Sequence, residues 1–360
     1  DSYKYEWAGL RTMMMQPIWA EYVLSLEMIH EPGERFEYCN GASYLLTAIL
    51  QKVTGMTALE FANENLFGPL GITGVEWMMD RSGINTGWGN IVMAPADLAK
   101  IGYLFLHKGN IDGNQIVSSE WIEESVKPHI VAGTLSDSYG YQIWPNDAGY
   151  SMMLGHGGQY VFVHPEENMV TVVTSCLESR GFFAPRQLYH DFVLLAAVSD
   201  KPLPPDDDGA RRLAAAIDDA ASSTPQPIAE LPAVAMEISG KRFQFDYNAA
   251  GFQWIELEFE PGKNEAAIEA SLGFRQIEAD VGLDGVHRLS DAEGLLQAYK
   301  GYWENENTFV LEFEALGQTR RGTARMVFDE GVMSMLFQEV IGRTDFELTA
   351  RIDSNTGDGN

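Results

Sequence analysis

Tyr38-Cys39-Asn40 sets a phenol and a carboxamide two positions apart, immediately before a stretch with helical periodicity. A phenol fixed in place can pass a proton, and a carboxamide beside it can hold a polar partner. Leu45, Ala48, Ile49 and Val53 recur at three- and four-residue steps and mark one apolar helix face. Asn40 suits the N-cap of that helix, because its side chain can accept from the unpaired N–H groups of the first turn. Gly55 suits a left-handed stop, and Pro32-Gly33 supplies a turn ahead. The spacing therefore predicts Tyr38 and Asn40 side by side at a helix mouth. The same residues also fit a plainer role, Tyr38 as an aromatic anchor and Asn40 as a cap alone.

At 360 residues, with 45% apolar and 11% aromatic side chains, the chain is long enough for two globular domains. Its 24 basic and 52 acidic side chains give a net charge of −28, a field that repels phosphate backbones and excludes nucleic acid as a partner. No apolar run is long enough to span a bilayer. Cys39 and Cys176 are too few for a disulfide framework, and neither His-Glu-x-x-His nor a zinc-spaced Cys/His cluster occurs, so no metal or cofactor is expected. Cys39 lies inside the tripeptide, but a thiol nucleophile needs a base beside it, and Cys39 reads as filler.

The elements that must position these groups follow in order. Thr57 and Glu60 form a capping box for a helix running to Leu66 and stopped by Gly68-Pro69. Residues 82–93 read as a Gly-rich loop, and Pro95 opens a helix that turns Leu98, Ile101, Leu104 and Phe105 inward. The period then becomes alternating: Tyr139–Trp144, Ser151–Leu154, Gln159–Val163 and Met169–Cys176 read as strands. A helix over Pro185–Val198 is expected to bury Leu188, Phe192 and Leu195. Residues 201–231 are a Pro- and Ala-rich linker with a helix over Ala210–Ala221. Eight alternating segments within residues 232–355 predict a small antiparallel barrel without a titratable cluster, a module for shaping a cleft or for dimerisation. The fold class is α+β, an antiparallel sheet with helices followed by a barrel.

The phrases "EPGERFEYCNGASYLLTAILQKVTG", "ALEFANENLFGPLGIT", "MAPADLAKIGYLFLHKGNIDGNQIVSSEWIEES", "YGYQIW" and "GHGGQYVFVHPEENMVTVVTS" stand in an order that resembles the serine β-lactamase and penicillin-binding-protein superfamily, most closely its class C-like esterase and amidase branch. The resemblance implies a serine hydrolase domain over residues 1–200 and a lipocalin-like barrel over 232–355. It implies that Tyr38 is the relay tyrosine of the family's Tyr-x-Asn motif, and that Asn40 bonds the catalytic lysine and the substrate carbonyl. It places His156, Gly157 and Gly158 on the strand motif of the opposite wall, where the histidine donates to substrate or to Tyr38. The backbone N–H of Gln159 would supply half of an oxyanion hole. Residue by residue, His156 also fits a turn and Gly157-Gly158 a bulge.

One departure is large: Ser-x-x-Lys, which carries the family's nucleophile, occurs nowhere in the 360 residues. The expectation is that serine and lysine lie upstream on a longer polypeptide, whose missing segment also covers an otherwise unpaired sheet edge. The expected partner is a small-molecule or peptide acyl substrate, with homo-oligomerisation left open. Family resemblance alone favours a periplasmic or secreted location. The competing expectation is a non-catalytic binding protein that keeps the cleft.

Overall fold

The computed structural model describes residues 9–133, 138–178, 181–273, 275–292, 295–340 and 344–353. The chain falls into two compact units, one of residues 1–175 with 181–200, the other of residues 176–180 with 201–360.

The second unit is built on period-2 alternation. Phe243 and Phe245, Ile255 and Leu257, Ala266, Ile268 and Ala270, and Ala324, Met326 and Phe328 all turn to one buried interior. Its strands form a ten-stranded sheet in which nine close into a barrel, and Arg288–Ala292 adds an outer strand. Closure is a parallel junction, Gly282 against Lys300, whereas among the described residues every other pairing is antiparallel. Eight segments were expected; the hairpin of Arg288–Ala292 with Leu295–Asn305 escapes a search for apolar alternation. Its inward positions are Gln297, Tyr299, Gly301 and Trp303, a polar, a phenol, a glycine and an indole. The linker helix spans Asp207–Ala221, with the Asp206 side chain accepting from Gly209 N–H, and buries none of its residues.

The first unit carries the residues singled out for chemistry. Helices α1 (Trp19–Ser25) and α2 (Asn40–Thr54) precede α3 (Ala58–Ala62), which opens with the expected capping box and widens into a π turn over Asn63–Phe67. Helix α4 (Pro95–Leu106) packs across a four-stranded antiparallel sheet of β1 (Trp144–Pro145), β2 (Ser151–Gly155), β3 (Gln159–His164) and β4 (Met169–Val173), ordered β4-β3-β2-β1. Strand β3 is central, and Tyr160 through His164 are all buried. The expected Tyr139–Trp144 strand is in fact two pieces: Ser138–Tyr139 pairs with Ile130–Val131, and Trp144–Pro145 joins the main sheet. Between them the chain makes a tight turn with Gln142 at φ 60°.

Two helices bury a different face from the one that apolar spacing predicts. In the last helical stretch Pro185 and Tyr189 are buried and Leu188, Phe192 and Leu195 are exposed, and a π turn over Tyr189–Val193 rotates the side chains that follow it. In α2 the buried residues are Gly41, Tyr44 and Thr47, whereas Ile49 and Val53 are exposed. The reason is polar. The Tyr44 hydroxyl donates to Asp80 Oδ2 at 2.6 Å, and Thr47 Oγ1 donates to the Asn85 carbonyl at 2.7 Å. Asp80 Oδ1 meanwhile accepts from the N–H groups of Ser82 and Ile84, which folds the loop that receives α2. At Gly87 the loop backbone lies directly against Ser43 and Tyr44, and a Cβ there would overlap the Ser43 carbonyl. Trp88 and Trp19 pack on the Tyr44 ring at 6.2 and 5.5 Å. Replacing Tyr44 by Phe leaves Asp80 short of a buried donor. The variant is expected to lose about 1–3 kcal/mol in urea unfolding. An unchanged midpoint would show that the bond does not hold α2 in place.

Candidate active site

The chain enters α2 in an extended conformation, and Cys39, at φ −137°, takes the N-cap position with no side-chain cap bond. Asn40 is therefore the first helical residue and not the cap that its type suggests. Tyr38 stands just outside, 41% exposed. Its ring stacks on Trp144 (6.2 Å, 18°) and meets Tyr139 edge-on (6.4 Å, 73°). Phe36 closes the back of this box against Tyr139 and Trp144. Burial raises the Tyr139 pKa and the neighbouring Tyr38 phenol raises it further, so Tyr139 stays neutral beside Tyr38. One turn into α2, Ser43 Oγ donates to Gln142 Oε1 at 3.2 Å, tying the helix to the turn between Tyr139 and Trp144.

The histidine and glycines lie elsewhere on the same sheet, and not on a strand as expected. Strand β2 ends at Gly155, β3 starts at Gln159, and His156, Gly157 and Gly158 form the turn between them. Gly157 and Gly158 both adopt positive φ, 76° and 87°, which bends the chain out of the pleat and makes the pair a turn rather than a bulge. Ser175, just past β4, braces the turn: its hydroxyl lies 2.6 Å from the Gly158 carbonyl and 3.0 Å from that of Gly157. The Gln159 side chain adds a second brace, accepting from Ser175 N–H at 3.2 Å and donating to the His156 carbonyl at 3.2 Å. Gln159 thus has a side-chain role that the spacing did not suggest.

Tyr38 and Asn40 share one helix mouth, and His156, Gly157, Gly158 and Gln159 share one hairpin turn. The link between the groups is Trp144, which stacks on Tyr38 and pairs with Met152 on the strand that leads to His156. Chemically the first unit offers a partly exposed phenol in an aromatic box, a carboxamide at a helix start, and an imidazole on a rigid turn. Among the described residues no group of three or more His, Cys, Asp or Glu side chains could hold a metal ion. The residues that sequence reasoning missed are Ser175, Tyr139 and Trp144. For the last two the signal was present, as aromatics in "YGYQIW", but the type of residue does not tell a box around Tyr38 from ordinary core.

Desolvation lowers the His156 pKa below the ordinary histidine value of 6.5. Its imidazole is neutral at pH 7 and can donate a hydrogen bond without carrying charge. With the folded-state value below the unfolded one, the unfolded chain binds the proton more readily. The contribution of this residue to stability is thus full above about pH 6.5 and is lost as pH falls toward the folded-state value. A ring-proton NMR titration, assigned with a His156→Gln variant, should place its midpoint below 6.5. A midpoint at or above that value would mean that the turn does not desolvate the ring.

Comparison with known proteins gives a beta-lactamase family match over residues 4–195. The 6-aminohexanoate-dimer hydrolase of Paenarthrobacter ureafaciens is 26% identical over 172 residues, which cover 43% of this chain and 42% of that protein. The chain therefore spans less than half the length of this relative. The octameric penicillin-binding protein homologue from Pyrococcus abyssi is 17% identical, with a TM-score of 0.37 over 89% of this chain and 66% of that one. The family match encloses Tyr38, Asn40, the His156 turn and more than half of the sequence: the chain belongs to the beta-lactamase family.

Proposed function

We propose that this chain carries the relay and oxyanion side of a serine hydrolase that cleaves an ester or amide through an acyl-enzyme. The observation that carries this reading is the beta-lactamase match over residues 4–195, which takes in both the Tyr38 helix mouth and the His156 turn. The name of the 6-aminohexanoate-dimer hydrolase relative supports an amide among the substrates; a peptide, an ester or a β-lactam suits the same chemistry.

In this reading a serine hydroxyl attacks the carbonyl carbon and its proton passes to a lysine–Tyr38 relay. Asn40 orients the carbonyl, and the Gln159 backbone N–H stabilises the oxygen as it gains charge. The relay returns the proton to the leaving group. Water then attacks the acyl-enzyme, with Tyr38 again taking and passing on a proton. Neutral His156 serves as a hydrogen-bond donor at the rim. The 360 residues contain no Ser-x-x-Lys, so the serine and lysine of this proposal come from polypeptide outside them. That same absence favours a second reading, a non-catalytic protein that binds acyl or peptide ligands in the retained cleft.

Intact-mass analysis of the full-length gene product treated with a fluorophosphonate separates the two. A stable adduct on a serine outside these residues supports hydrolysis; ligand binding without an adduct supports the binder. In an active full-length enzyme, Tyr38→Phe is expected to lower acylation by roughly 10²–10⁴-fold with folding intact. Turnover unchanged in that variant would remove Tyr38 from the relay.

A further inference from the structure

The linker helix over Asp207–Ala221 is amphipathic and yet buries nothing. Ala210, Leu213, Ile217 and Ala220 recur at steps of three, four and three, which puts them on one face. Leu213 and Ile217, the bulky members, are 62% and 60% exposed. A 15-residue helix is at the length where isolated helices are marginal in water, and a packed apolar face ordinarily supplies the remaining stability. This helix packs its apolar face against nothing in its own chain.

Its charges are arranged unevenly. Asp207 and Asp208 sit in the first turn, where the helix dipole favours acids. Arg211 and Arg212 follow, and both reach back to Asp208, at 3.1 and 3.4 Å. Asp218 and Asp219 close the helix, where the dipole opposes acids and no basic residue stands in the last turn. Among the described residues no cation pairs with either of them. Two guanidinium groups thus share one carboxylate, while two carboxylates have no cation at all.

The order becomes sensible under a two-fold axis. Counted outward from Ala215, Leu213 matches Ile217, Arg212 matches Asp218, Arg211 matches Asp219 and Ala210 matches Ala220. An antiparallel second helix centred on its own Ala215 therefore lays Leu213 on the second copy's Ile217. On each flank of that seam it brings an arginine level with an aspartate: Arg211 with the second copy's Asp218, and Arg212 with the second copy's Asp219. Ala214 and Ala216, beside the seam, let the axes approach so that the arginines reach across. A parallel pair would set arginine on arginine and aspartate on aspartate. A membrane surface fits poorly, because the polar side holds four aspartates and two arginines.

We propose that the linker helix is a self-association element, which pairs antiparallel with the same helix of a second copy of this chain. Two such helices cover less than the roughly 1,200 Å² of a stable complex, so the dimer is weak and forms in the micromolar range. The inference is independent of the hydrolase reading, since it uses only residues of the linker.

Sedimentation velocity of the full-length gene product from about 5 to 500 µM tests it, and a reversible monomer–dimer equilibrium is expected. Arg211→Asp with Arg212→Asp should weaken the dimer at least about tenfold, as should Asp218→Arg with Asp219→Arg. Mixing those two variants should restore association as a heterodimer, and all four substitutions in one chain should restore the homodimer. Since the helix buries none of its residues, far-UV circular dichroism should show the rest of the fold intact in every variant. A product that stays monomeric, its helix bare or covered by its own chain, would overturn the proposal. So would a dimer indifferent to the charge reversals, or reversed variants that fail to associate on mixing.

Discussion

The bond from the Tyr44 hydroxyl to Asp80 is the constraint on which the geometry of the first unit depends. Asp80 uses one carboxylate oxygen to shape its own loop, through Ser82 and Ile84, and the other to hold α2. A carboxylate shared in this way couples the loop conformation to the rotation of the helix about its axis. Thr47 and the close approach at Gly87 then leave α2 a single register. Tyr38 and Asn40 follow from that register, since they sit where α2 begins, and the aromatic box receives Tyr38 only if the helix points at Trp144. A group meant to act on a substrate needs this kind of support, because a displacement of an ångström at the reacting atoms is costly in rate.

The two candidate clusters are supported by different physics. At α2 the backbone is regular and the side chains do the fixing. At His156 the reverse holds: two left-handed glycines set the path, and Ser175 and Gln159 tie off carbonyls that a three-residue turn leaves without ladder partners. Both sit at the ends of regular elements, the mouth of a helix in one case and a hairpin turn in the other, where a side chain can be exposed and still be held in place.

Much of this was legible in the sequence, and the failures share a cause. Capping box, helix starts, hairpins and most barrel strands were readable because each is decided by residues close together in the chain, as Thr57 and Glu60 are. The face of α2 was not. Apolar spacing favoured Ile49 and Val53, but the buried face is set by hydrogen bonds from Tyr44 and Thr47 to residues nearly forty positions away. The last helix failed through a π turn, which displaces every later side chain around the axis. The strand at Leu295–Asn305 failed because Gln297 and Gly301 interrupt the apolar alternation of an inward face otherwise carried by Tyr299 and Trp303. The Arg275–Gln297 contact was not legible either, because the two meet only once Gln276–Gly282 and Leu295–Asn305 close the barrel.

The charge of the chain bears on that contact. On the barrel four arginines are spent on carboxylates: Arg242 on Glu256, Arg325 on Glu304, Arg351 on Asp246, and Arg288 on Asp284, whose pKa it holds down at about 2. In a chain with 52 acidic side chains against 24 basic ones, partners for an arginine are plentiful, yet the Arg275 guanidinium rests on the Gln297 amide. The surrounding negative field opposes any anion at long range, but that field is screened beyond about 10 Å at 0.1 M salt.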